Sequence, residues 1–444
     1  MSSTTPPLPP LSAHTTPARY LTADIPGIGG VLKQRPEDFI VEEIPAYEPA
    51  GQGEHIYLWV QKTNISTLHL VRLLAEHFGV RRDDIGVAGL KDKLAVTTQT
   101  VSIHTPGKRP EDFPSFERPG AAVLWAALHT NKLKRGHLKG NRFVIRVRGV
   151  PAAAVLRASK VLMALCKIGA PNRIGEQRFG ALGRNHEVGR LLILNDRKGV
   201  VDAVLGPSAD RPDVHARARE HYAQGAFRDA LDAFPPSAHT ERRMLAALCR
   251  GLDTGGGGSL RRAVESIERR ERSFYVTAFQ SALFNAVLDR RIVDATFDRL
   301  LEGDLAFKHD SGAVFHVEQP TLADPTTAQR LAKLEISPSG PMWGPEMTPA
   351  TGAVGELENE VFAASGVTIE QVQRFAKQHR ESMLGQRRAL RVPVLFPDVE
   401  GGQDEHGEYV KLRFELPRGS FATTVMQEIM KVDLREADDE PEAA

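Results

Sequence analysis

One alternating stretch constrains the fold of this chain more than any other feature. The sequence KGNRFVIRVR places two sets of side chains in alternation, with Phe143, Ile145 and Val147 in one set and Arg142, Arg146 and Arg148 in the other. Because successive side chains of a β-strand point to opposite faces, the pattern predicts a strand with one apolar face and one wet, positive face. The residues from Asn131 to Arg148 include no acidic side chain. We call this segment the basic island.

Length and composition exclude several classes of protein. The chain has 444 residues, enough for two or three domains, and its net charge is only +1. No uninterrupted apolar run approaches the roughly 20 residues that span a bilayer, so we expect no membrane association. Cys166 and Cys249 form no CxxC pattern, which excludes a disulfide scaffold or thiolate zinc site and favours a reducing, cytoplasmic location.

Composition also suggests how the chain is organised. Residues 1–23 are rich in Ser, Thr and Pro and are expected to be disordered, and the acidic tail 435–444 is expected to be solvated. An apolar helix from about Ala152 to Ile168, followed by a loop punctuated by glycines, predicts a domain boundary. The region 200–272 favours helices around a flexible joint at Gly255 to Gly258, and AREHYAQGAFRDALDAFP within it favours a helical hairpin.

A charged turn lies between two predicted strands in the first half of the chain. Strands are predicted at Phe39 to Ile44 and His55 to Gln61, then a helix with Ser66 as N-cap and Gly79 as left-handed C-cap. The sequence IGVAGLKDKLAVTTQTVSI then indicates strand, turn and strand, and the turn contains Lys91, Asp92 and Lys93.

Two of these features suggest chemistry. The lysines beside Asp92 favour its ionised form, which could act as a base or nucleophile, although such a turn is also common on solvated surfaces. The basic island around Phe143 combines cations for phosphates with a ring for stacking on bases, which favours RNA binding. A basic, solvated hairpin without a ligand fits the same pattern equally well. No phosphate loop, dinucleotide fingerprint or metal-ligand spacing occurs, so we expect no metal and no cofactor.

Longer motifs resemble the TruD family of pseudouridine synthases, in the same order along the chain. They are KQRPEDFIVEEIP (33–45), AGLKDKLAVTTQ (88–99), KGNRFVIRVR (139–148), PNRIGEQRFG (171–180), RSFYVTAFQSALFN (272–285), PSGPMWG (338–344) and LPRGSFATTVMQEIM (416–430). The resemblance covers about residues 25 to 435. The segment between Gly180 and Arg272 is longer than in the most compact members.

The resemblance implies an α+β fold, in which a pseudouridine-synthase catalytic domain with a mostly antiparallel sheet is interrupted by an insertion domain. It implies domain bounds of 24–170 and 346–434 for the catalytic domain and 171–345 for the insertion, with the active-site cleft where the two domains meet. The implied activity is isomerisation of uridine 13, in the D-arm of transfer RNA, to pseudouridine without a cofactor.

The resemblance also assigns residues. Asp92 matches the family's catalytic aspartate, which either adds to the sugar or abstracts its proton. Phe39, Phe143, Phe421 and Asn141 match its substrate-binding residues, and Lys33 is a candidate partner of Asp92. For each phenylalanine the alternative is ordinary core packing. No obligate protein partner is evident.

Two other classes of function compete with this one. A non-catalytic RNA-binding or RNA-chaperone protein would keep the fold and the basic surface, but the intact KDK turn with Asn141 and Phe143 argues against it. A helical interaction scaffold would need more repeat units than the chain contains.

Overall fold

Contacts in the computed structural model, which describes residues 19–253, 259–379 and 383–432, group most of the chain into two compact units. Leu21–Ala170 and 392–432 form the sheet unit, and Pro171–Arg391 forms the helical unit. Residues 1–18, 254–258, 380–382 and 433–444 lie outside the described residues, so the predicted acidic tail, the glycine joint and most of the predicted N-terminal tail are not addressed by the structure.

The first part of the sheet unit contains seven strands and two α-helices, in agreement with the strand and helix patterns of its sequence. Its elements are β1 (Phe39–Pro45), β2 (His55–Thr63), α1 (Thr67–Phe78), β3 (Ile85–Val87), β4 (Val96–His104), β5 (Glu117–Arg118), β6 (Ala121–His129), β7 (Leu138–Arg148) and α2 (Val155–Ile168). The caps predicted for α1 are present: the Ser66 hydroxyl accepts a hydrogen bond from the His69 amide at 3.1 Å, and Gly79 has a left-handed φ of 65°.

The helical unit is built mainly from helices, with a small sheet beside them. Its elements, from the strand at its first boundary to the one at its last, are β8 (Ala170–Pro171), α3 (Asn185–Ile193), α4 (Arg197–Leu205), α5 (Ala216–Ala223), α6 (Phe227–Ala233), α7 (His239–Asp253), α8 (Ser259–Glu265), α9 (Arg269–Val293), β9 (Leu305–Lys308), β10 (Val314–His316), α10 (Gln319–Ala323), α11 (Pro325–Ala332), β11 (Ile336–Met342), α12 (Gly352–Ala364), α13 (Ile369–His379), β12 (Gln386–Ala389) and β13 (Arg391–Val392). Helices α5 and α6 form the predicted helical hairpin.

This unit continues well beyond the predicted domain boundary at residue 345. The reason is packing, because Val361 of α12 and Phe375 of α13 belong to the same apolar core as Val188 of α3 and Phe279 of α9. The helical unit therefore extends to Arg391, and the sheet unit resumes at residue 392. Within the described ranges, no helix combines the length and the hydropathy that crossing a membrane requires.

The sheet unit ends with β14 (Leu395–Asp404), β15 (Gly407–Pro417) and α14 (Ala422–Met430). These strands complete one sheet in the order β14-β15-β7-β1-β4-β2-β6-β5, with β3 paired to the far end of β4. Only β1 and β4 run parallel among the paired strands of this sheet in the described residues. The predicted α+β class with a mostly antiparallel sheet is confirmed.

One face of this sheet carries two separate apolar cores. Helix α1 covers the residues of β2 and β4 that include Leu58 and Val101, whereas α2 and α14 cover residues of β1, β7 and β15 that include Phe143. A row of polar side chains on the same face lies between the two cores. Its members, with the register that places them together, are Asn141 of β7, Glu43 of β1, Thr97 and Gln99 of β4, and Lys62 of β2.

Candidate active site

The KDK turn lies in the β3–β4 connection, at the end of this polar row. Hydrogen bonds with buried side chains hold its backbone in place. Lys62 is fully buried, and its ammonium group donates hydrogen bonds to the carbonyl oxygens of Asp92 and Ile65, each at 2.7 Å. The amide of Lys91 donates to the hydroxyl of Thr67 at 2.9 Å. A buried ammonium group must find acceptors, and here it finds them in the loop that carries Asp92. The turn is therefore a fixed element.

Asp92 presents a partly exposed carboxylate beside a buried cation. Its side chain is 31% exposed, and its Oδ1 atom lies 3.7 Å from Nζ of Lys33, whose side chain is 3% exposed. Lys33 has a left-handed φ of 53°, a conformation that costs a residue with a side chain about 1 kcal/mol or more. The predicted pairing of Lys33 with Asp92 is present in the structure.

One of the two lysines that flank Asp92 has other partners. Lys91 turns inward, where its Nζ lies 3.1 Å from Oε2 of the buried Glu43 and donates a hydrogen bond to Oδ1 of Asn141. Lys93 is exposed. A cation that lies near the Asp92 carboxylate comes from Lys33, 59 positions earlier by sequence number, and no local pattern around the turn indicates it.

Asn141 reaches this cluster because of strand register. It lies opposite Glu43 of β1 and opposite Leu416 of β15. The preceding Gly140 permits this close pairing, since a Cβ atom there would collide with the carbonyl oxygen of Leu416. Asn141 itself is half-buried.

The predicted aromatic residues divide into two kinds of environment. Phe39 and Phe143 are 2% and 5% exposed, pack edge to face at 6.4 Å and belong to the apolar core under α2 and α14. Nζ of Lys33 lies 4.7 Å from the centre of the Phe39 ring. Phe421, at the N-cap of α14, is 38% exposed, and no ring contact joins it to the other two within the described residues. Phe39 and Phe143 are thus core residues, and of these two only Phe39 contacts Lys33, whereas the Phe421 ring is partly exposed.

The expected wet, positive face of β7 is wrong, because all three of its arginines lie within 4.0 Å of a carboxylate; for the half-buried Arg146 this is Asp38, at 4.0 Å. Arg148 is 3% exposed and bonds to Asp38 and Asp404. Arg142 is exposed but forms ion pairs with Glu42 and Glu415, at 2.9 and 2.8 Å. The neighbouring strands supply these acids, which the sequence of the basic island does not contain. Besides Arg142, the exposed cations of the island are Lys134, Arg135 and Lys139, in the loop before β7 and near its first residue.

Sequence reasoning missed Lys62, Glu43 and Thr67. One signal for Lys62 was available: Ile56, Leu58 and Val60 predict the buried face of β2, and Lys62 occupies the next position on that face. A lysine that continues an apolar face is expected to have a buried partner. Glu43 continues the face of Phe39 and Val41 in the same way, whereas Thr67 gave no comparable signal, because its partner is set by packing of the helix on the sheet.

The arrangement suits chemistry that needs a carboxylate. Asp92 is accessible, fixed at its backbone and paired with an ammonium group, so it can act as a nucleophile or accept a proton. No group of three or more His, Cys, Asp or Glu side chains suited to a metal occurs among the described residues. The fold is α+β, and the site offers one accessible carboxylate for such chemistry.

Comparisons with known proteins give the family. The family model for tRNA pseudouridine synthase D (TruD) matches residues 16–429. The tRNA pseudouridine synthase D of Geobacter sp. (strain M21) is 44% identical over 415 residues, which cover 93% of this chain and 99% of that protein. The protein of the same name from Syntrophotalea carbinolica is 36% identical over 422 residues, which cover 94% and 100%.

A solved structure supports the same assignment. The crystal structure of a protein described as tRNA pseudouridine synthase D (TruD) from Methanosarcina mazei aligns with a TM-score of 0.77 and 29% identity. The alignment covers 96% of this chain and 99% of that one. This chain belongs to the TruD family of tRNA pseudouridine synthases.

Proposed function

We propose that this protein isomerises uridine 13, in the D-arm of transfer RNA, to pseudouridine, with Asp92 as the catalytic carboxylate. The observation that carries the proposal is the accessible Asp92 side chain, held 3.7 Å from the buried Lys33 ammonium in an anchored loop. The motif around Asp92 is the one that resembles the catalytic segment of the family.

The reaction needs no oxidant, reductant or energy source. The bond between C1′ of the ribose and N1 of uracil breaks, and its electron pair leaves with the base. The base turns, C5 bonds to C1′, the proton of C5 is lost and N1 gains a proton, so the product is an isomer of the substrate. Asp92 can act on the sugar in either of two ways, by bonding to C1′ or by accepting a proton from C2′. We propose that no metal or cofactor takes part.

The target uridine must leave its stack to reach Asp92, at a cost of a few kcal/mol. The exposed Phe421 ring is proposed to stack on nucleotide bases, which offsets part of this cost. Lys134, Arg135 and Lys139 are proposed to contact phosphates. We propose that the enzyme acts in the cytoplasm and needs no protein partner.

The test uses the purified full-length protein and transfer RNA transcripts, in buffer with a strong chelator. Product is mapped by mass spectrometry on a transcript with uridine 13 and on a matched transcript with cytidine 13. We expect pseudouridine at position 13 of the first transcript only. Pseudouridine elsewhere would overturn the assigned position, and a requirement for added metal would overturn the cofactor-free route. Binding without product would indicate a non-catalytic RNA-binding protein.

A further inference from the structure

The amide of Asn141 is oriented by a buried charge cluster that the assigned site residues do not include. Lys91 is 8% exposed, and its ammonium group bridges Glu43 and Asn141. The Glu43 side chain is completely buried, and its other oxygen accepts a hydrogen bond from the Thr100 amide at 3.1 Å. Glu43 is thus held by a hydrogen bond at one oxygen and by the ion pair with Lys91 at the other, and this ion pair keeps Lys91 beside Asn141.

This contact determines which end of the Asn141 amide is offered to a ligand. An ammonium group can only donate hydrogen bonds, so the atom of Asn141 that faces Lys91 must be its oxygen. The NH₂ group therefore points away from Lys91, and no protein acceptor for it is present within the described ranges. Because Lys91 and Glu43 are buried whereas Asn141 is half-buried, the NH₂ group is the part of this cluster that a ligand can reach.

We infer that Lys91 and Glu43 are positioning residues that fix Asn141 as a hydrogen-bond donor to a carbonyl oxygen of the target uracil. This inference rests on the proposed function. When the bond between C1′ and N1 breaks, the base carries the electron pair, and the negative charge spreads from N1 to O2 and O4. A fixed NH₂ donor beside a buried ammonium group stabilises that charge as it develops. At O4 the same donor selects uracil over cytosine, which has an amino group there.

The test combines protein variants with substrates that differ in one atom. Single-turnover rates are measured for wild type, Asn141→Ala, Glu43→Gln/Lys91→Met and the triple variant. The substrates are transfer RNA with uridine, 4-thiouridine or 2-thiouridine at the target position. The Glu43→Gln change accompanies Lys91→Met so that no unpaired carboxylate remains buried, and thermal melting verifies that each variant folds.

On uridine, we expect Asn141→Ala to lower the rate by roughly 100-fold and the Glu43→Gln/Lys91→Met pair by roughly tenfold, with RNA affinity nearly unchanged. The triple variant should be no slower than Asn141→Ala alone, because Lys91 acts through Asn141. The Asn141→Ala effect should shrink on one of the two thio substrates, since sulfur is the weaker acceptor.

If the rate losses of Asn141→Ala and of the Glu43→Gln/Lys91→Met pair multiply in the triple variant, the role of Lys91 is overturned. An equal Asn141→Ala effect on all three substrates would overturn the donor role of Asn141. Failure of the proposed function is distinguished from both results, because wild type itself would then make no pseudouridine from the uridine substrate.

Discussion

Strand β7 contributes to two clusters of buried charge, one towards each end, and the two clusters differ in how completely their charges are matched. Near the last residue, Arg148 makes two hydrogen bonds to each of two carboxylates, from Asp38 and Asp404, at 2.7–2.9 Å. Near the first residues, Asn141 accepts from a lysine that has one carboxylate partner, Glu43. Arg148 and Asn141 point to opposite faces of the sheet, since an odd number of positions separates them.

The Arg148 cluster, which consists of Arg148, Asp38 and Asp404, has the character of a structural element. The hydrogen bonds that Arg148 donates to Asp38 and Asp404 raise the pKa of Arg148 and lower the pKa of Asp404. Every charge there is satisfied within the protein. The Lys91 cluster instead lies next to the exposed carboxylate of Asp92 and leaves an amide NH₂ group available. The comparison teaches that a basic stretch of sequence can serve stability at one end and, in the role proposed for Asn141, chemistry at the other, depending on which acids the neighbouring strands supply.

The largest expected effect comes from removing the charge at the centre of the site. Asp92→Asn keeps the size of the side chain but cannot attack the sugar or take its proton, so product formation should fall by ~10⁴-fold or more. Transfer RNA affinity and melting temperature should stay close to those of wild type. Rates are measured by mass spectrometry and affinity by filter binding. The matched control is Asp83→Asn, at an exposed aspartate near the start of β3, which should keep full activity.

The next effect concerns the Arg148 cluster at the other end of β7. Arg148→Met leaves the buried Asp38 carboxylate without its main partner, so the free energy of unfolding should fall by about 3–5 kcal/mol. Activity per folded molecule should be unchanged. The control is Arg142→Met, whose exposed ion pairs should be worth less than about 1 kcal/mol. Equal losses of stability from both variants, measured by denaturant unfolding, would contradict the distinction between the two arginines.

A smaller effect is expected at the anchor of the catalytic loop. Lys62→Met removes the donor that holds the carbonyl oxygens of Asp92 and Ile65, so Asp92 should no longer be held in its productive position. The single-turnover rate should fall by about 10–100-fold, with little change in transfer RNA affinity. Circular dichroism and thermal melting provide the folded fraction for each preparation. A rate per folded molecule equal to that of wild type would show that the loop holds its shape without Lys62.

The smallest effect concerns RNA affinity. Changing the exposed Lys134, Arg135 and Lys139 to Gln should reduce the slope of log affinity against log salt by about 2, since each phosphate contact contributes about 0.7–0.9. Arg142→Gln should change the slope much less, because Glu42 and Glu415 already neutralise this arginine. If Arg142→Gln changed the slope more than the three other substitutions together, the result would support the wet, positive face predicted from the sequence.

Local rules and long-range contacts account for different parts of this structure. Ser66 and Gly79 were predictable as helix caps because a cap depends on the few residues around it. The KDK turn was predictable because strand patterns flank it, and the role of Asp92 came from motif resemblance. The partners of Arg148 were not predictable, since Asp38 and Asp404 are 110 and 256 positions away and are brought together by strand pairing. The inward turn of Lys91 depends in the same way on the register that places Glu43 opposite Asn141.

The most direct test of the central claim is the distance from residue 92 to the sugar of the bound target uridine. A crystal structure of the Asp92→Asn variant with transfer RNA would measure it. We predict that the target uridine is extruded from its stack, with C1′ or C2′ of its ribose within about 3.5 Å of the side chain of residue 92. An ordered target uridine that lies elsewhere, with residue 92 facing a phosphate or solvent, would contradict the account.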